Sequence, residues 1–300
     1  MHIRSPHANA KALIMTHGWP GSILEFRHVI ARLTEPVKYG GKVEDAFHLV
    51  LPSLPGYGFS GKPMHSGCNV VWVAKAWGTL MQRLGYKEYF AQGGDWGASV
   101  TARMANLKLP GLMGVHLNST FFDIRKEDQG EKLTAEEQKA VHVAEAFLGH
   151  GDAYYKIHGT RPQTIGYALV DSPAGQAAWI YEKIYAWTDH NVVDFEDDDF
   201  VKEILDSISL YWVTESAASS ARMYWENVEL DTTALKIEIP VGVSLFPADL
   251  FWTPRSRGER YYKNIVYWNG DVDKGGHFAA WEVPEIFVRE LRETFVKMNT

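Results

Sequence analysis

Three short segments of this 300-residue chain carry side chains able to do nucleophilic chemistry. The first is GGDWGA, residues 93 to 98, with Asp95 at the expected junction of a strand and a helix. A sharp strand-to-helix turn needs small flanking residues, here Gly93, Gly97 and Ala98, and it lifts its apex side chain above the C-terminal edge of a sheet. The helix that begins there aims free N–H groups at the apex. A free aspartate has a pKa of about 3.9, so Asp95 would be an anion at neutral pH and could attack without a base. A plain reading competes: aspartate is also a good helix N-cap, and this motif alone does not separate the two.

The second segment is HGWPGS, residues 17 to 22, which follows an apolar run. A loop in that place, together with the residue after a nucleophile, offers backbone donors to an oxyanion; here these are the N–H groups of Trp19 and Trp96. Gly18, Pro20 and Gly21 could equally make a simple turn. The third segment is GGHFAAWEVPE, residues 275 to 285, with His277 after the last expected strand. A histidine there is placed to act as general base, and the chain order nucleophile, acid, histidine asks for an acid between Asp95 and His277. Asp249 in FPADL directly follows the apolar run VGVSLF and is favoured. Asp271 and Asp273 sit in the loop before His277 and should face solvent.

The elements that must position these groups are legible in outline. KALIMT (11–16), FHLVLP (47–52), EYFAQ (88–92) and GLMGVHLN (111–118) are expected strands, with IPVGVSLF (239–246) and NIVYW (264–268) resuming the series later. Helices are expected over 22–33, with a capping box of Ser22 and Glu25, over 69–84 from the spacing of Val70, Val73, Trp77 and Leu80, over 98–107, and over 278–298. This alternation predicts an α/β fold: a mostly parallel sheet flanked by helices, formed by residues 1–118 and 236–300. Residues 119–235 break the rhythm with helical patterns and many aromatics, and are expected to form a helical cap. Within them DFEDDDF, residues 194 to 200, reads as a solvated acidic loop, since it lacks the glycine and closing glutamate of a calcium loop. GYGFSG, residues 56 to 61, fits a dinucleotide-binding pattern by letters alone. Pro63 delays any helix and no acidic residue stands between Ser60 and Lys87, so it reads as a loop beside the active site.

Bulk composition narrows the function classes. Apolar residues make up 46% of the chain, enough for a sizeable core. A net charge of -7 argues against nucleic acid and anionic membranes as partners. Cys68 is the one cysteine, so no internal disulfide framework exists. No apolar run approaches the roughly 18 residues of a membrane span, and the first residues do not read as a signal peptide. The expected default is a soluble cytoplasmic protein. The 11 Trp, 14 Tyr and 14 Phe are mostly core, with a minority expected to line an apolar pocket.

Taken together, RSPHANAKALIMTHGWPGSILEF, LPSLPGYGFSG, QGGDWGA, TRPQTIGYALVDSPAGQAAWIYEK, YWVTES, SLFPADL and GGHFAAWEVPE resemble the microsomal-type epoxide hydrolases of the α/β-hydrolase superfamily, cap included. The resemblance implies Asp95 as nucleophile, His277 as base and Asp249 as charge-relay acid. It also implies two cap tyrosines that hold the epoxide oxygen: Tyr154, with Tyr155 one register away, and Tyr224. The implied activity adds water to a hydrophobic epoxide through a covalent aspartyl ester and gives a vicinal diol, with no cofactor and no metal. Members of the family usually carry a longer N-terminal segment, some with a membrane anchor, whereas Met1 here stands almost at the HIRSP strand. The reading leaves the oligomeric state open, a homodimer included. Its rivals are a haloalkane dehalogenase, which shares the fold and the Asp-Trp pair, and a non-catalytic small-molecule binding protein on the same scaffold. A serine esterase is disfavoured by the aspartate at the apex.

Overall fold

The computed structural model describes residues 1–120, 132–229 and 235–298. Seven strands form one sheet in the order β1-β3-β2-β4-β5-β6-β7. They are β1 (His2–Ile3), β2 (Lys11–Thr16), β3 (Phe47–Val50), β4 (Tyr89–Gly93), β5 (Leu112–Leu117), β6 (Val241–Ser244) and β7 (Ile265–Asn269). Only β1, at the edge, runs antiparallel to its neighbour; all other pairs are parallel. Parallel sheets are covered on both faces, which is why Leu13, Ile14 and Met15 form an unbroken apolar run in β2. Side chains nevertheless alternate: Ala12 and Ile14 join one buried cluster, Leu13 and Met15 the other.

The helices of the sheet layer are α1 (Ile30–Thr34), α2 (Val70–Arg83) and α3 (Trp96–Asn106). Asn69 caps α2 by accepting from the N–H groups of Val71 and Trp72. Of the expected face of α2, Val70, Val73 and Trp77 are buried and Leu80 is half-buried, with Ala74 and Met81 buried beside them. Six further helices lie between β5 and β6 among the described residues: α4 (Ala135–His150), α5 (Ala153–Thr160), α6 (Pro162–Asp171), α7 (Pro173–Trp187), α8 (Asp198–Val213) and α9 (Ser216–Asn227). After β6 come α10 (Arg255–Tyr261), α11 (Ala279–Glu282) and α12 (Pro284–Lys297). The two joins between the inserted helices and the sheet include 121–131 and 230–234, outside the described residues.

Three local expectations are corrected. Residues 22–33 are not one helix: a short 3-10 turn, Ile23–Phe26, precedes α1. Ser22 does cap it, through Leu24 N, but the carboxyl of Glu25 turns toward Gly21 rather than closing a capping box. The C-terminal helix breaks at Val283, because Pro284 restricts the residue before it and starts α12. The acidic run 194–200 is only partly loop, since Asp197 caps α8 and Asp198 and Asp199 occupy its first turn, where negative charge suits the helix dipole.

Inserted helices and sheet layer are joined by buried polar contacts as well as aromatics. Arg257 of α10 donates to Glu137 of α4 at 2.5 Å, both side chains being almost fully buried. Val70 N donates to Asn227 Oδ1 at 3.1 Å, and Tyr211 OH to Gly21 O at 2.8 Å. The GYGFSG loop lies under α9, with Ser219 Oγ donating to Gly56 O.

Candidate active site

Asp95 stands at the head of α3 with φ 49° and ψ -129°, a backbone conformation that L residues seldom adopt. The turn is possible because Gly93 and Gly97, on either side of it, have no side chain. A Cβ on Gly97 would lie 1.8 Å from Thr16 O, and one on Gly93 would lie 2.1 Å from Gly97 O. Asp95 makes no side-chain cap to its helix, so the plain N-cap reading does not describe it. Its Oδ1 accepts from Trp19 N at 2.8 Å. The loop holding Trp19 is pinned by His17, which is fully buried. Leu54 N donates to its Nε2, and its Nδ1–H donates to Gly18 O. Burial holds His17 down at about 4, so it is neutral and serves as a clamp. Trp96 follows Asp95 as the first residue of α3.

His277 lies between the two carboxylates. Its Nε2 is 3.5 Å from Asp95 Oδ2, and its Nδ1 is 2.6 Å from Asp249 Oδ1. Burial alone would lower His277, but Asp249 and then Asp95 outweigh it and hold the imidazole well above its ordinary value. Asp249 also accepts from Leu250 N at 2.7 Å and from Ser119 Oγ at 2.9 Å. Asp271 and Asp273 are exposed.

Above Asp95 sit the inserted helices. Tyr154 of α5 is 4% exposed and stacks on Trp19, with ring centroids 4.8 Å apart. Tyr224 of α9 is 2% exposed and packs edge to face against Trp96 at 4.9 Å and against Tyr154 at 5.7 Å. Burial first, and the Asp95 anion among the further causes, push both phenols well above their usual value, so both remain donors at neutral pH. Tyr224 Oη is buried, close to the Tyr154 hydroxyl and the Trp96 indole. Tyr155, by contrast, is 42% exposed and touches the outer side of Tyr224.

Several residues here are absent from the sequence reading. Ser119 follows β5, beside the strand that leads to Asp249, and only strand order could have pointed to it. The loop carrying His277 has four consecutive amides held: Gly275 N by Asp189, Gly276 N and Phe278 N by Glu282, and His277 N by Trp187 O. Glu282 also accepts from Asp189 N at 2.8 Å. Burial pushes Glu282 up to about 7 despite these donors. Nothing in the letters WEVPE discloses that role.

The arrangement sets the Asp95 carboxylate beside an imidazole oriented by Asp249, with two buried phenols above. An α/β-hydrolase fold family model matches residues 11–134. Epoxide hydrolase 1 of Sus scrofa is 35% identical over 320 residues, covering 98% of this chain and 70% of its own length. The chain belongs to the epoxide hydrolases. A protein of Stigmatella aurantiaca (strain DW4/3-1) that bears the provisional name epoxide hydrolase is 54% identical, over 100% of this chain and 67% of its own. Among solved structures, Aspergillus niger epoxide hydrolase superposes with a TM-score of 0.83 at 34% identity, covering 99% of this chain and 74% of that one. This epoxide hydrolase has no group of three or more His, Cys, Asp or Glu arranged to hold a metal, and no helix long and apolar enough to cross a membrane, among its described residues.

Proposed function

We propose that this epoxide hydrolase works through Asp95, His277, Asp249, Tyr154 and Tyr224, on hydrophobic epoxides. One observation carries the assignment: Asp95 has one oxygen held by the Trp19 N–H and the other facing His277, beneath two buried tyrosines. In the first step Tyr154 and Tyr224 donate to the epoxide oxygen while Asp95 Oδ2 attacks a ring carbon. The C–O bond breaks, a tyrosine delivers a proton to the alkoxide, and an ester remains. In the second step His277, oriented by Asp249, takes a proton from water. The water oxygen bonds to Asp95 Cγ, and the oxyanion on Oδ1 rests on the N–H groups of Trp19 and Trp96. Collapse expels the second alkoxide, which takes the proton from His277, and the remaining proton of the water returns to the tyrosinate, so that diol is released and carboxylate and phenol are restored. Tyr154 is preferred to Tyr155 because it is buried against Trp19, whereas Tyr155 reaches solvent.

The helical insertion, within 119–235, serves as the cap that brings the two tyrosines over Asp95 and lines the site with rings. The cytoplasm is the compartment we assign, in keeping with a lone, reduced and buried Cys68; a homodimer is the assembly to test first by sedimentation. A panel of epoxides with diol detection tests the activity on this chain. Diol from at least one apolar member, abolished in Asp95→Ala, is the expected result. Chloride release from haloalkanes with no diol from any epoxide would favour dehalogenation instead.

A further inference from the structure

His277 follows two glycines, the residue type with the most backbone freedom, and Gly275 uses that freedom at φ 106°. Asp249 fixes the direction of the imidazole through Nδ1, but the place of the ring depends on what holds the backbone beneath it. Two of the four held amides in this loop are held from outside the sheet layer. Gly275 N donates to Asp189 Oδ2 at 2.9 Å, and His277 N donates to Trp187 O at 2.9 Å. Trp187 ends α7 and Asp189 follows two residues on, so both acceptors belong to the insertion between β5 and β6. The other two amides go to Glu282, which itself accepts from Asp189 N.

Trp187, Thr188 and Asp189 are all buried. A Cβ on Gly276 would lie 2.6 Å from Trp187 O and 2.9 Å from Asp189 N, so glycine is what lets the two backbones approach this closely. Asp189 Oδ1 accepts from the backbone N–H and the side-chain amide of Asn191, both at 2.9 Å, and this local turn leaves Oδ2 for Gly275. Burial would raise the Asp189 carboxyl, but the amides of Gly275 and Asn191 outweigh it and hold the group below its ordinary value, so it is an anion at neutral pH. A hydrogen bond to a carboxylate is stronger than one to a neutral acceptor. The Trp187 ring also meets the His277 imidazole edge to face, with centroids 5.1 Å apart. From α8, Glu203 Oε2 accepts from Trp281 Nε1 at 2.5 Å, which adds a second join between the insertion and the segment after His277.

We propose that Asp189 is a positioning residue for ester hydrolysis: the insertion that brings the phenols also holds the base in place, through the Asp189 carboxylate on the Gly275 amide. Segment 187–189 and loop 275–278 then move as one body, and the imidazole keeps its reach to Asp95 while that body is intact. Asp189 exchanges no proton and touches no reacting atom. Ester formation draws on Asp95, Tyr154 and Tyr224 and needs no base, so the effect of Asp189 falls on the step in which His277 takes a proton from water. The inference rests on the two-step reading above and adds that its second step depends on a residue of the insertion.

Pre-steady-state kinetics with styrene oxide as probe, on wild type, Asp189→Ala and Asp189→Asn, separate the two steps. Alanine leaves Gly275 N without its acceptor; asparagine keeps one acceptor oxygen. Ester hydrolysis should fall about 30-fold in Asp189→Ala and less than about 5-fold in Asp189→Asn, with ester formation within about 3-fold of wild type in both. The low-field NMR signal of the His277 Nδ1 proton should shift or broaden in Asp189→Ala, because its bond to Asp249 depends on where the ring stands. Unchanged hydrolysis in Asp189→Ala, or formation and hydrolysis falling together, overturns the proposal. If wild type forms no ester on Asp95, it is the two-step reading that fails. Should Asp189→Ala not fold, hydrogen exchange on the wild type decides. The amides of Asp189, Gly275, Gly276 and His277 exchanging as one group support the assignment; a loop that opens faster than the Asp189 amide refutes it.

Discussion

At the scale of the residue, His277 is shared by two anions, and its titration should change as the reaction proceeds. Asp95 and Asp249 together hold it above its ordinary value against burial. A raised pKa means the imidazole is protonated below it and becomes a base only above it, so ester hydrolysis should fall as pH drops through that value. Formation of the ester removes the Asp95 charge, and with it one of the raising influences. The pKa that governs single-turnover ester hydrolysis is therefore expected below that of His277 measured by NMR in the resting enzyme; equal values would count against the Asp95–His277 coupling. The tyrosines give a second prediction. Tyr154→Phe and Tyr224→Phe each remove one donor to the epoxide oxygen and should slow ester formation about 100-fold, with the double variant nearly inactive. Rapid-quench measurements on Tyr155→Phe should give a rate near wild type. Asp95 and His277 were readable because their neighbours are small and their place relative to strands is specific. Glu25 was not: its spacing from Ser22 mimics a capping box, and only the three-dimensional turn shows its carboxyl aimed inward.

At the scale of the element, the turn before α3 and the loop after β7 do the positioning. Gly97→Ala would press a methyl into Thr16 O. It should cost about 3 kcal/mol in a urea melt, whereas Ala98→Gly, one residue on, should cost about 2 kcal/mol, the helix preference plus one buried methyl. The four held amides around His277 make a comparable claim. Glu282→Gln puts an amide N–H₂ in competition with the N–H groups of Gly276, Phe278 and Asp189. Loosening the imidazole by a fraction of an ångström should lower ester hydrolysis at least about 10-fold while leaving ester formation nearly intact. Equal losses in both steps would mean that Glu282 serves the fold in general. Strand positions were legible because a sheet covered on both faces demands apolar runs, and β2 spans the run KALIMT from end to end. Helix 22–33 misled because Ile23, Phe26, Ile30 and Leu33 have helical spacing, yet the chain turns through a 3-10 segment that places Phe26 and Glu25 beside the site. The C-terminal break was written in Pro284 and could have been read.

At the scale of the molecule, a sheet with helices on both faces carries Asp95, His277 and Asp249, and the inserted helices carry Tyr154 and Tyr224. Their union depends partly on the Arg257–Glu137 pair, buried between α10 and α4. Breaking a buried pair of this kind is costly, so Glu137→Gln should lower stability by about 3 kcal/mol. The loss should appear first as exposure of the Tyr154 region in hydrogen exchange. That an insertion exists is plain from the interrupted alternation after β5; how it seats is not, because residues such as Arg257 and Glu137 stand 120 positions apart. The central claim is that oxygen from water enters through Asp95. Single-turnover hydrolysis in heavy-oxygen water, with the enzyme in excess, tests it most directly. The account predicts unlabelled diol on the first turnover and label in the peptide containing Asp95. Label appearing in the diol on that turnover, with none in Asp95, would contradict it and point to direct attack of water on the epoxide carbon.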